Sequence, residues 1–259
     1  MTDRILPLEG VLNFRDYGGY ATAGGAMVHR GRLYRSAHHS RATDADLDAM
    51  AGLGLAVIVD LRRPNERRRD PSRRPPGFDG VVIENDLGDT QDDPWWSYVR
   101  QSDLSEAAFR SYLMDYYRAA PFEPRHIDLY GRYFKALAEA EGAVLIHCAA
   151  GKDRTGLLAA LTHHLMGVSR NDLIADYLLT NEAIAFDQRM PLLIQAMSEG
   201  SGRTPSPAAV RVAMGVDEAY LLQALAAIEA AHGAIDGYLE TVLGVDAPLR
   251  ERIHARLVG

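Results

Sequence analysis

Apolar residues along the chain fall into two rhythms. Leu55-Ala56-Val57-Ile58-Val59, Val81-Val82-Ile83 and Ala143-Val144-Leu145-Ile146 are short apolar runs, each entered through a Gly-containing turn, and they predict the central strands of a sheet. Between them the period lengthens. Asp44 to Leu53 follows a Thr cap, and His126 to Glu141 sets Ile127, Tyr130, Phe134 and Leu137 on one face, so both predict helices. After residue 147 the pattern becomes almost wholly helical, with Leu157, Leu161 and Leu165 at i, i+4, i+8 and Leu221, Leu225 and Ile228 at i, i+4, i+7. Glu199 to Pro207 gathers Gly, Ser and Pro and predicts a loop inside this helical half, not a domain boundary. With no internal repeat, the alternation predicts one α/β domain over residues 1–259.

Composition narrows the class further. At 259 residues a chain can bury roughly three quarters of its unfolded surface, and 47% hydrophobic with 24% charged residues excludes disorder, collagen and coiled coil. The formal charge of −7 argues against a nucleic-acid surface. Cys148 is the only cysteine, which excludes an intramolecular disulfide and a multi-cysteine zinc site and fits a reducing compartment. No run approaches the ~20 apolar residues of a membrane span. The opening MTDRILPLEG has an acidic residue and no apolar signal core, so a cytoplasmic address is expected, with export by a route lacking a signal peptide left open.

The lone cysteine stands at a telling place. Val144 to Gly156 reads strand, Gly-containing loop, helix, and Cys148 sits at the turn. A loop entering a helix N-terminus aims unpaired backbone N–H groups at one spot and adds the positive end of the helix dipole, which suits a phosphate. The same field favours thiolate over thiol. Arg154, six positions on, can hold two phosphate oxygens in its planar fork, and Thr155 can donate its hydroxyl to the sulfur. Ala149, Ala150, Gly151, Lys152, Asp153, Arg154 and Thr155 are therefore the expected substrate-binding residues. An ATP-binding loop is excluded because Asp153 stands where Ser or Thr must follow Gly-Lys.

His147-Cys148-X5-Arg154-Thr155-Gly156 resembles the active-site loop of cysteine-dependent protein tyrosine and dual-specificity phosphatases. Its form here, His-Cys-Ala-Ala-Gly-Lys-Asp-Arg-Thr-Gly, is similar to the bacterial group that includes mycobacterial tyrosine phosphatase B. The likeness extends to Asn13-Phe14-Arg15-Asp16, Gly31 to Ser36, Asp60-Leu61-Arg62, Tyr112 to Tyr117, Ala175 to Leu178 and Gly215-Val216. It implies a phosphatase fold, a central sheet flanked by helices with a helical lid insertion and a helical C-terminal half. It also implies phosphomonoester hydrolysis through a phosphocysteine, without metal or cofactor. Substrates would be phosphorylated proteins bearing phosphotyrosine or phosphoserine/threonine, or phosphoinositides. A phosphotyrosine-binding module without turnover is the non-enzymatic alternative.

A poor leaving oxygen needs a proton donor. Asp86, just after Val81–Ile83, falls where the family's general-acid loop lies, and Asp153 sits inside the cradle; both are candidates. Asp60, Arg15 and Asp16 are expected to pair structurally. Lys152, one of only two lysines, could reach a second phosphate or be a solvated first-turn residue. Seven arginines between Arg62 and Arg74 could face an anionic partner, although such a run is usually a solvated loop. Residues 89–120, carrying Trp95, Trp96, Phe109, Tyr112, Tyr116 and Tyr117, are the expected lid insertion, its aromatics more often core than substrate clamp. The pairs His38-His39 and His163-His164 lack metal-site spacing and are read as surface or packed residues.

Overall fold

The computed structural model describes residues 4–259. Its strands are β1 (Arg15–Asp16), β2 (Leu33–Ser36), β3 (Leu55–Asp60), β4 (Val81–Ile83) and β5 (Ala143–His147). They form one sheet in the order β1-β2-β5-β3-β4, parallel except for β1. The three apolar runs are thus strands, and β2 and β1 extend the sheet beyond them. Leu-Tyr-Arg-Ser in β2 gives little sign of a strand because Arg35, though charged, is buried.

Alternation of side chains fixes which face meets which layer. Val57 and Val59 of β3 and Val144 and Ile146 of β5 enter the large core on one face. Ile58, Ala143 and Leu145 enter a smaller cluster on the other, with Leu47 and Met50 of α1 (Asp44–Ala51). That helix starts where Thr43 accepts from the Asp46 N–H and Asp46 answers to the Thr43 N–H. On the large-core face lie α5 (Pro124–Glu139), α6 (Asp153–Leu165), α7 (Arg170–Ala183), α10 (Glu218–His232), α11 (Ile235–Thr241) and α12 (Ala247–Leu257). Nearly every residue of α6 is buried, as its apolar content on all sides requires.

The helices α3 (Pro94–Gln101), α4 (Glu106–Ala119), α8 (Phe186–Ser201) and α9 (Pro207–Met214) share a third cluster around Val99, Phe109, Met197 and Val210. Trp95, Trp96 and Phe109 belong to it, while Tyr117 of α4 joins the large core, so the 89–120 aromatics are mainly packing. The loop expected over Glu199–Pro207 is shorter than the sequence suggests. Helix α8 runs on through Ser201 and ends only at Gly202, whose φ of 72° is the left-handed closing turn. The Trp96 ring lies against the helix at Gly200, and a Cβ there would meet its nearest ring carbon at 2.3 Å, so the position needs glycine. The basic run is also ordered, since Pro64–Arg69 forms the short helix α2.

Candidate active site

Parallel strands set their carboxyl ends side by side. Ser36 pairs in register with His147, and His147 with Asp60, so three strand ends meet at one row where the chain leaves β5 for the Cys148 loop. Such a carboxyl edge is where open α/β sheets bind ligands. Cys148, 2% exposed, is the first residue beyond the strand, and α6 begins at Asp153 after a turn at Gly151 with φ of 67°. Only glycine fits there, because a Cβ would come within 2.4 Å of the Ser36 carbonyl. Among the described residues, no protein acceptor takes the N–H groups of Ala149 through Arg154. That leaves six donors without a protein acceptor on one loop at a helix N-terminus, in the residues directly after Cys148.

Arg154 is held in place from both ends of its fork. Its Nη1 and Nη2 donate to the two Glu66 oxygens at 2.5 and 2.7 Å, and Nη1 also donates to the Leu61 carbonyl at 3.1 Å. Burial alone would raise the Glu66 carboxyl, but Arg154 outweighs it and holds the group down at about 2. Glu66 also accepts the Arg63 N–H at 2.7 Å, so the residue that holds Arg154 is the one that caps α2. Sequence reasoning passed over Glu66. Its only signal was a Glu at the third position of a helix inside an arginine run.

His147 is fully buried, its ring 4.3 Å from that of His39 and its Nε2 3.6 Å from Asp60 Oδ2. Burial pushes it down to about 4, against the pull of Asp60 and with the push of Arg62 and Arg74. The imidazole therefore stays neutral behind the thiol. Asp60 grips Arg62 at 2.7 Å, and Asp16 accepts the N–H groups of Gly18 and Gly31, the pairing roles expected of them. Thr155 is fully buried and its hydroxyl makes no hydrogen bond, so the contact to sulfur expected from the sequence is not among the bonds of the site.

Lys152 departs from both sequence readings. It is 5% exposed, and its ammonium donates to the Ala213 and Gly215 carbonyls at 2.8 and 3.2 Å. Its charge closes the end of α9 and is committed there, neither solvated nor turned to a second phosphate. Asp153 accepts from the Tyr117 hydroxyl at 2.9 Å and lies 3.6 Å from Lys152, within the first turn of α6. Asp86 stands in the turn after β4 with its side chain 88% exposed, and Arg67 donates to it at 2.5 Å. The arginine run meets this acidic turn along its length: Arg68 binds Asp89 through two bonds and Arg69 binds Asp93, the N-cap of α3. Arg67, Arg68 and Arg69 thus each meet a carboxylate of the chain, although Arg68 and Arg69 also remain exposed.

Over residues 6–259 the chain matches the tyrosine phosphatase family. The chain belongs to that family. It is 33% identical over 242 residues to a Cupriavidus necator protein carrying a tyrosine-protein phosphatase name, covering 93% of this chain and 85% of that one. It is 31% identical over 281 residues to the triple specificity protein phosphatase PtpB of Mycobacterium tuberculosis, covering 98% and 99% of the two chains. A tyrosine-protein phosphatase of Nostoc commune shares 32% identity over 148 residues, 56% of this chain and 47% of its own. A five-strand sheet flanked by helices is the fold that serves this family here, and the chain is a protein tyrosine/dual-specificity phosphatase.

Proposed function

We propose that this phosphatase works through a phosphocysteine formed at Cys148, without metal or cofactor. The observation that carries the reading is the set of six N–H groups from Ala149 to Arg154 that no protein acceptor takes, on the loop between Cys148 and α6. The sulfur attacks phosphorus in line, the phosphorus–oxygen ester bond breaks, and the departing oxygen takes a proton from an aspartate. Water then cleaves the sulfur–phosphorus bond and releases phosphate and thiolate. Arg154 and the loop amides hold the equatorial oxygens while charge builds on them.

Asp86 is proposed as the donor, since Arg67 ties its turn to the helix that also carries Glu66. Residues 1–259 are proposed as one domain with 89–120 as its lid insertion, whose helices α3 and α4 pack against α8 and α9. Phosphotyrosine proteins, with phosphoserine or phosphothreonine as further substrates, are the proposed partners. Phosphoinositides, which carry further phosphates, find no second-phosphate contact in Lys152, because that ammonium is committed to carbonyls. No helix among the described residues is long and apolar enough to cross a membrane, and the lone thiol suits the cytoplasm as the proposed address.

The test is Cys148→Ser. Turnover of an aryl phosphate should vanish while vanadate still binds, because a hydroxyl is not ionised in the cradle. More than a trace of activity in the variant would refute the phosphocysteine. A substrate panel of phosphotyrosine, phosphoserine and inositol-lipid headgroups, with chelator present, ranks the substrate classes.

A further inference from the structure

In a planar trans peptide the N–H points opposite to the C=O. Whatever turns the carbonyls of the Cys148 loop outward therefore aims its amides inward. The Ala149 carbonyl accepts the backbone N–H of His38 at 3.2 Å. The next two carbonyls are held by side chains. Asn13 Nδ2 donates to the Ala150 and Gly151 oxygens at 3.1 and 2.8 Å, and Arg35 Nη2 donates to the Gly151 oxygen at 3.0 Å. Those two peptide planes carry the N–H groups of Gly151 and Lys152.

Both donors are themselves fixed. Asn13 adopts a left-handed φ of 56°, and its Oδ1 accepts from Arg15. Arg35 Nη1 donates to Asp176 Oδ2 at 2.8 Å, while Arg15 Nη2 donates to the Asp176 carbonyl at 2.9 Å and to Thr180 Oγ1 at 3.2 Å. Asn13, Arg15, Arg35 and Asp176 are each at most 2% exposed, so water does not compete for these bonds. Two guanidinium groups against one carboxylate also leave positive charge in a dry layer behind the loop, where it attracts an anion more strongly than it would in water. The left-handed backbone at Asn13 selects the residue type, since a β-branched or bulky side chain would resist that φ, whereas Asn tolerates it and brings the amide donor.

We infer that Asn13 and Arg35 are positioning residues for phosphoryl transfer, orienting the Gly151 and Lys152 amides toward the phosphoryl oxygens, with Asp176 of α7 anchoring the pair. The inference rests on the reading of the Cys148 loop as the phosphate cradle. It assigns to the start of the chain and to α7, neither of which touches the reacting atoms, control over how well the cradle binds an oxyanion.

The experiment uses the full chain with two substitutions at one position. Asn13→Asp keeps the shape and the acceptor for Arg15 but turns a carboxylate oxygen on two carbonyls. Asn13→Gly keeps the left-handed φ and removes both bonds. Both are first checked for native circular dichroism at assay temperature, and rates are taken per folded molecule. Expected in each is vanadate inhibition weakened by about 100-fold, with kcat falling by a similar factor and KM shifting much less, the scale of one lost oxyanion contact. Because Cys148 is the only cysteine, iodoacetate reads that thiol alone, and its alkylation at about pH 6 should slow by about tenfold. A role confined to stability would lower the melting temperature and leave vanadate affinity and alkylation unchanged in the folded variants, which would overturn the proposal. Slow alkylation of the unsubstituted protein, unprotected by phosphate, would instead sink the cradle reading itself.

Discussion

Arg154, the proposed clamp, shows at residue scale how a charge is made directional. Glu66 takes one oxygen to each terminal nitrogen of Arg154, which fixes the plane of the guanidinium. An ammonium has no plane to fix. Arg154→Lys should therefore lose about 100-fold or more in kcat/KM despite unchanged charge; a near wild-type rate would refute two-point holding of the phosphoryl oxygens. The two aspartates separate by leaving-group chemistry. If Asp86 gives the proton, Asp86→Asn should slow phenyl phosphate strongly and p-nitrophenyl phosphate, with its far more acidic phenol, much less. Asp153→Asn should slow both by a similar factor, because Asp153 ties Tyr117 to the first turn of α6. Leaving-group sensitivity in Asp153→Asn and none in Asp86→Asn would move the donor into the loop.

At the scale of elements, the contact between α3 and α8 is set by an absent side chain. Alanine in place of Gly200 would favour a helix by about 1 kcal/mol, yet its Cβ would press on the Trp96 ring. Overpacking costs about 1–3 kcal/mol, so Gly200→Ala should lower the melting temperature and shift tryptophan emission; a higher melting temperature would mean the two helices part freely. The same glycine explains part of what the sequence conceals. Gly200 and Ser201 look like breakers because the pattern rule sees a missing side chain and not the ring that fills its space. The strands β3, β4 and β5 and the Leu157 helix were legible because burial asks for apolar residues along nearly their whole length. The placement of Cys148 at the strand end and of Arg154 in the first turn of the following helix was legible too, because both lie in one short segment. Glu66, Asn13 and Arg35 were not legible as partners of that loop, since what joins them to it is distance in space across 88 to 138 positions of chain. The commitment of Lys152 depended likewise on carbonyls 61 and 63 positions away.

The molecule as a whole keeps several imidazoles dry. Burial lowers His39, His126, His147 and His163 alike, and His147 sits at about 4 against an ordinary 6.5. Between those two values the unfolded chain binds the proton and the folded one does not, so stability rises with pH across the window and is lost as pH falls through 6.5 toward 4. For His147 alone the loss amounts to about 3 kcal/mol. Melting temperature should thus drop by several degrees from pH 7 to about pH 4.5; a flat profile would mean these rings are solvated. Helix α2 has a consequence of another kind. One face of its six residues reaches Arg154 through Glu66, while Arg67, Arg68 and Arg69 hold the acidic turn and the start of α3. Clamp, acidic turn and aromatic layer are thus mounted on a common bracket, and a displacement of that bracket moves all three together. Exchanging the stretch from β3 to α3 as one piece should therefore keep these contacts, while exchanging the acidic turn by itself should lose the Arg67 and Arg68 contacts that tie it to α2.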